Sequence, residues 1–192
     1  MAEAKPMDAG EPAGPARVSS EAPSSELGPP VSAKELRNVG LFGALTDAVL
    51  EHLAENLRVI EVPPGTALFH EGDVADDMFV VLQGDIEVQK RSRHGKDSRV
   101  AVLGPRDWFG EMSIVDVQPR SATVRAVSPA RLLRIAASDL DALYRYDVKA
   151  YALVVLNLAR EMSRRLRVAD GILADLIANV FDSYIGSSAG KP

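Results

Sequence analysis

Residues 63–88 read PPGTALFHEGDVADDMFVVLQGDIEV, and their rhythm decides the fold. Short apolar runs, TALF, MFVVL and DIEV, are punctuated by Pro63-Pro64-Gly65, Glu71-Gly72-Asp73 and Gln83-Gly84-Asp85. Runs of this length read as strands rather than helices, and DIEVQ alternates polar and apolar residues with a strand's period. Working outward, RVIEV (58–62) precedes the stretch, while RVAVL (99–103), SATVRAV (121–127) and RLLRI (131–135) follow it. The charged turn RSRHGKD (91–97) and Gly104-Pro105 separate them. Strands recurring about every 8–12 residues between such turns predict a closed antiparallel roll or a sandwich, and spacing does not choose between the two.

The period is helical on both sides of the strands. Ser32 with Glu35 three residues on has capping-box spacing, so order is expected to begin there. TDAVLEHLAENL (46–57) then places Val49, Leu50, Leu53 and Leu57 on one helical face. After the strands, Ser138 is the expected N-cap of a short helix over Asp139–Arg145, and a long helix is expected over 148–183. Within it Ala152, Val155, Ala159, Met162, Leu166, Ala169, Leu173, Leu176 and Val180 alternate spacings of three and four, a heptad seam. A helix of about 36 residues spans more than ~50 Å, longer than a roll of this size covers. The seam therefore predicts a homodimer, and Gly171 falls opposite it.

Composition sets the outer limits. Residues 1–30 hold six of the twelve prolines and few large apolar side chains, so a disordered tail is expected over 1–32. The rest divides into a domain over 33–147, the helix over 148–183 and a flexible end over 184–192. With 46% hydrophobic residues among 192, the chain can bury a core. No cysteine is present, which removes disulfides, thiolate metal sites and thiol nucleophiles. The three histidines, His52, His70 and His94, fall in different elements without metal-ligand spacing. No serine–histidine–acid set or phosphate-loop pattern occurs, so no catalytic residue, metal or enzyme activity is expected. The N-terminus lacks a signal sequence, and the longest apolar stretch, near 150–159, is about half of the ~20 residues that span a bilayer. A cytoplasmic protein with no membrane contact is expected. The net charge of −5 argues against a broad nucleic-acid surface.

One further stretch carries chemistry. WFGEMSIVDVQPRSAT (108–123) holds Glu111 and Arg120 in an otherwise apolar, turn-rich segment. Gly110 permits close backbone approach, and Glu111–Asp116 can form a short helix whose first amides attract an anion. An arginine fork at Arg120 suits a phosphate, Ser121 adds a hydroxyl, and Glu111 suits a sugar hydroxyl. Together these describe a nucleotide monophosphate site. An ion pair between Glu111 and Arg120 that merely stitches two loops satisfies the same spacing.

The pattern F-G-E-M-S followed by P-R-S-A-T resembles the phosphate-binding cassette of the cyclic nucleotide-binding domain family. Residues 63–88 look like the first half of that family's β-roll, and LNLAREMSRRLRVADGIL (156–173) is similar to the long dimerisation helix of its bacterial receptor proteins. The resemblance implies an α+β fold, an antiparallel β-roll flanked by N-terminal helices and a long C-terminal helix. It implies a sensor of a cyclic nucleotide, cyclic AMP ahead of cyclic GMP, that signals to an unidentified protein effector. The implied site comprises Val88, Phe109, Gly110, Glu111, Met112, Ser113, Arg120, Ser121 and Ala122. Glu111 would take the ribose 2′-hydroxyl and Arg120 the cyclic phosphate. Arg165 matches a helix position that reaches the cassette glutamate. The family's base-binding threonine and serine are replaced by Ala169 and Asp170, and Arg106 stands where glycine is frequent. No helix-turn-helix is expected after Phe181, so DNA reading is not expected.

Overall fold

The computed structural model describes residues 26–92 and 95–188, with no account of side chains at Glu26 or beyond Phe181. Among the described residues, nine strands and five α-helices follow in chain order. They are β1 (Glu26–Leu27), α1 (Ala33–Arg37), α2 (Asp47–Asn56), β2 (Arg58–Val62), β3 (Ala67–Phe69), β4 (Asp77–Gln83), β5 (Ile86–Arg91) and β6 (Asp97–Leu103). Then come β7 (Trp108–Phe109), α3 (Glu111–Val115), β8 (Thr123–Ala126), β9 (Ala130–Ala136), α4 (Ala137–Tyr146) and α5 (Val148–Ser188). A 3-10 turn at Gly40–Phe42 links α1 to α2. The strands form two antiparallel sheets, ordered β1-β2-β9-β4-β7 and β3-β8-β5-β6.

β4 explains why its sequence is apolar without interruption. Met78 and Val80 face the helices in one core, with Val59, Trp108, Leu133 and Ile135 beside them. Phe79 and Val81 face the inside of the roll with Leu68, Ile86, Phe109, Val124 and Leu132. A strand covered on both faces loses its polar alternation. At the β4–β5 turn Gly84 has φ +89°, and a Cβ there would lie 2.4 Å from the Pro129 carbonyl oxygen. Only glycine closes this turn against the β8–β9 connection.

The helices meet several expectations and shift others. Ser32 and Glu35 form the capping box, with the Ser32 N–H donating to Glu35 Oε2 at 2.9 Å and the Glu35 N–H to Ser32 Oγ at 3.3 Å. Val49, Leu50, Leu53 and Leu57 are all buried. Order begins before Ser32, because β1 adds an edge to β2, pairing Glu26 with Glu61. α4 begins at Ala137, so Ser138 is not its N-cap; the Asp139 carboxylate instead accepts the Ala136 N–H at 2.8 Å from inside the first turn. β7 is only two residues long, too short to leave a periodic signal. α5 runs to Ser188, so 184–188, expected as a flexible end, are helical. Residues 1–25, His94 and the terminal four residues lie outside the described residues.

α5 has two faces. Ala150, Val154 and Leu158 are buried against the body of the domain. Asn157 Nδ2 donates to the carbonyls of Leu41 and Gly43, each at 3.1 Å, pinning the helix to the 3-10 segment. The heptad residues point elsewhere: Val155, Leu166, Leu173, Leu176 and Val180 are all more than two-fifths exposed. At 41 residues the helix is about 60 Å long. Among the described residues, no helix is long and apolar enough to cross a membrane.

Candidate functional site

β7 hydrogen-bonds to β4 at Phe79 and Val80 and delivers the chain to Gly110. Gly110 has φ +83° and caps α3 in the left-handed conformation. A Cβ there would sit 2.7 Å from Arg120 Nη1 and 3.2 Å from the Asp77 carbonyl oxygen. Glycine is needed both for the dihedral and for the arginine that passes over it.

Arg120 arrives from the irregular segment between α3 and β8, and its side chain is 2% exposed. Nη1 donates to the carbonyls of Asp77 (2.6 Å) and Gly110 (3.1 Å), and Nη2 donates to the Asp77 carboxylate. The guanidinium lies 4.0 Å from the centroid of the Phe69 ring, a cation–π contact. Burial lowers its pKa from the ordinary arginine value, and Asp77, Asp73 and Asp76 oppose that pull. Asp77 also accepts from Arg134 Nε at 2.5 Å, so two arginines share one carboxylate. Arg120 Nε is buried and has no hydrogen-bond partner among the described residues.

Glu111, the first residue of α3, is 5% exposed. Its partner is Arg165 on α5, whose Nη1 approaches Oε1 at 3.2 Å. Arg165 Nη2 donates to the Trp108 carbonyl at 2.8 Å and its Nε to Glu161 at 3.3 Å. Hydrogen bonds from Arg164 and Arg165 hold the Glu161 carboxyl below its ordinary pKa against the larger single influence of burial, which raises it. Glu111 and Arg120 are therefore not partners of each other. The acid is held by the long helix and the base by β4.

The remaining expected residues lie on β5, β7, α3, α5 and the segment before β8. Phe109 stacks with Phe79 (5.4 Å between centroids) and tilts against Phe69 (5.9 Å), flooring the roll beneath Arg120. Ser113 is buried, Met112 is 48% exposed, and the Ser121 hydroxyl donates to Met112 Sδ at 3.5 Å. Ala122 and Val88 are half-buried, with Val88 on β5 paired to Val124 of β8. Ala169 and Asp170 are exposed on α5 beyond Arg165, and Asp170 makes no hydrogen bond or ion pair among the described residues. Arg106 has φ +81°, which accounts for a glycine preference at that turn. Sequence reading missed Asp77, Arg134, Phe69, Glu161 and the Trp108 carbonyl. Glu161 has a sequence signal, its i,i+4 spacing to Arg165, whereas Asp77 and Arg120 are 43 residues apart and meet only in space.

The chain is a β-roll with a buried arginine beside a short helix and a long helix tied to the buried Glu111. Residues 59–147 match the cyclic nucleotide-binding domain. The chain is 30% identical over 142 residues to a CRP-like cAMP-activated global transcriptional regulator of Mycobacterium tuberculosis, covering 74% of this chain and 62% of that one. In structure it is similar to a cyclic nucleotide-binding domain from Methylobacillus flagellatus (TM-score 0.67, 26% identity, 75% of this chain and 82% of that one). It is also similar to the N-terminal domain of a transcriptional regulator from Streptomyces coelicolor (TM-score 0.61, 30% identity, 68% of this chain and 94% of that one). The chain belongs to the cyclic nucleotide-binding domain family, whose members are typically non-catalytic regulatory modules.

Proposed function

We propose that the chain is a regulatory sensor of a cyclic nucleotide, cyclic AMP first and cyclic GMP second, that passes its bound state to a protein effector through α5. One observation carries this reading: Arg120 is buried, and its Nε has no hydrogen-bond partner among the described residues. One edge of the Arg120 guanidinium is committed to Asp77 and Gly110, which leaves the opposite edge, led by Nε, as a donor fork. A cyclic phosphodiester presents two oxygens to such a fork. Arg120 and Arg134 share the Asp77 carboxylate, so Asp77 is divided between two guanidiniums. The Ser113 N–H donates to the Gly110 carbonyl at 3.3 Å, and the Glu111 and Met112 amides, which lack intrahelical acceptors, add donors beside Arg120.

Glu111 would be repelled by the phosphate and takes the ribose 2′-hydroxyl, with Phe109, Met112 and Ser113 walling its turn. Ser121 and Ala122 line the phosphate arm, and Val88 offers an apolar surface to the sugar or base. Asp170 is an acceptor suited to an adenine amino group or to the N1 and N2 hydrogens of guanine. Because Arg165 joins Glu111 to α5, a hydroxyl on Glu111 changes what holds the helix. Signalling requires different ligand affinity in two helix arrangements. The exposed heptad seam, set apart from the buried stripe of α5, supports pairing of two copies along that helix.

Calorimetry and thermal-shift titration of the full chain with cyclic AMP and cyclic GMP test the reading. Binding is expected, and Arg120→Lys, which keeps the charge and loses the fork, should weaken it by about 100-fold, or roughly 2.8 kcal/mol. Lysine is preferred to alanine, since removing one partner of a buried ion pair costs about 3–5 kcal/mol. No heat and no thermal shift at millimolar ligand would sink the proposal.

A further inference from the structure

The segment that carries Arg120 has no ladder of its own. α3 ends at Val115 and β8 begins only at Thr123. The pairing of β8 with β5 stops at Gln89 opposite Thr123. On one side, the arm is held by the β3–β4 turn, where the Gly72 N–H donates to the Arg120 carbonyl (2.9 Å) and the Arg120 N–H to the Asp73 carbonyl (2.8 Å). On the other side, the contact comes from a side chain. Lys90, one residue past the end of the β5–β8 ladder, sends its Nζ to the Ser121 carbonyl. The same Nζ lies 3.1 Å from Glu71 Oε1. Glu71 in turn accepts the Arg91 N–H at Oε2 (3.0 Å) and gives its own N–H to Thr123 Oγ1 (3.0 Å).

We propose that Lys90 is a positioning residue for the anion-binding arm, extending the β5–β8 ladder by one residue with an ammonium in place of a backbone N–H. The proposal rests on the cyclic nucleotide reading of the same site. Lys90 clamps the carbonyl next to Arg120 while the β3–β4 turn clamps Arg120 itself, so the arm is fixed from both sides before a ligand arrives. Val88, two residues earlier, lies on the same face of β5, so a single strand aligns the apolar wall and the phosphate arm. Lys90 is half exposed, and an exposed ion pair contributes little to stability. Its loss should therefore register in ligand affinity and arm mobility more than in the melting temperature.

The experiment compares the full-length wild type with Lys90→Met, Lys90→Arg and Lys96→Met, the last removing the same charge from the β5–β6 turn. Cyclic AMP affinity is read by calorimetry, melting temperature by thermal denaturation, and exchange at the Ser121 and Ala122 amides by hydrogen–deuterium exchange without ligand. Lys90→Met is expected to weaken binding about tenfold, the scale of one charge-assisted hydrogen bond, and to speed exchange at the arm. Its melting temperature should stay within about 2 °C of wild type, in keeping with an exposed pair. Lys90→Arg should keep most of the affinity and Lys96→Met all of it. Wild-type affinity and unchanged exchange in Lys90→Met overturn the role of Lys90 and leave the cyclic nucleotide reading standing. Equal losses in Lys90→Met and Lys96→Met also overturn it, by reducing the effect to net charge. Absence of binding in the wild type overturns the cyclic nucleotide reading instead, and the exchange rates then still report whether Lys90 holds the arm.

Discussion

Arg106 sits at φ +81°, a conformation that costs a residue with a Cβ about 1–2 kcal/mol. Its N–H nevertheless donates to the Val81 carbonyl at 2.8 Å, so the turn is held by the backbone and not by the guanidinium. Arg106→Gly relieves the strain and keeps that bond. Against the extra freedom glycine gives the unfolded chain, about 0.5–1 kcal/mol, the net gain should be up to about 1 kcal/mol. A chain of this size should then melt about 2–4 °C higher, and a lower melting temperature would show that the arginine side chain contributes what the backbone does not reveal. Gly110 is the opposite case. There the positive φ coincides with Arg120 Nη1, so the glycine is required by the tertiary neighbour as much as by the dihedral.

At the scale of elements, the first helix shows how a local signal becomes anchored. The Ser32–Glu35 box is legible three residues apart, but Glu35 also receives Arg131 Nη1 at 2.6 Å from β9. Arg131 Nη2 donates to the carbonyls of Pro29 and Pro30, so one arginine ties α1 and the segment leading into it to the sheet. The hydrogen bond from Arg131 leads in holding the Glu35 carboxyl below its ordinary 4.5, with Ser32 helping and burial opposing. A depressed folded-state pKa adds stability that is present above the unfolded value and is lost as pH falls through the folded one. Glu35→Gln should therefore cost stability at pH 7, about 1 kcal/mol at most because the carboxyl is partly exposed and screened. The gap between the two proteins should narrow as pH falls below 4.5 and through the folded-state pKa. Melting curves of both along a pH series check this, and a gap of constant size would exclude the charge as its source.

Across the whole molecule, α5 connects the site to a surface that one chain leaves uncovered. Its first third is seated on the body, Arg165 reaches Glu111, and from Leu166 to Phe181 every described residue is exposed. Large apolar side chains such as Leu166 (62%), Leu173 (54%) and Leu176 (58%) recur along the seam at heptad spacing. A contiguous exposed apolar run of this kind is the mark of an interaction surface. Under the proposed pairing, light scattering should give twice the chain mass, and Leu166→Asp combined with Leu173→Asp should halve it while leaving the roll's thermal transition in place. A wild type with the mass of one chain at micromolar concentration would remove the seam as a dimer contact.

The sequence by itself determined the short antiparallel strands, the helices before and after them, and the two residue types that chemistry needs at Glu111 and Arg120. These are properties of short range: a strand is written in its turns and alternation, a capping box in three residues, a cassette in sixteen. Period and turn chemistry also left roll and sandwich equivalent, and Glu111 and Arg120 free to be partners. Only the tertiary structure decided those questions. Packing β4 between two cores and threading Arg120 past Gly110 brought Asp77 to the guanidinium across 43 residues, and seating α5 on the body brought Arg165 to the acid. The choice of partner for a buried charge depends on which desolvated groups the fold places within hydrogen-bond reach, and spacing along the chain carries no record of that.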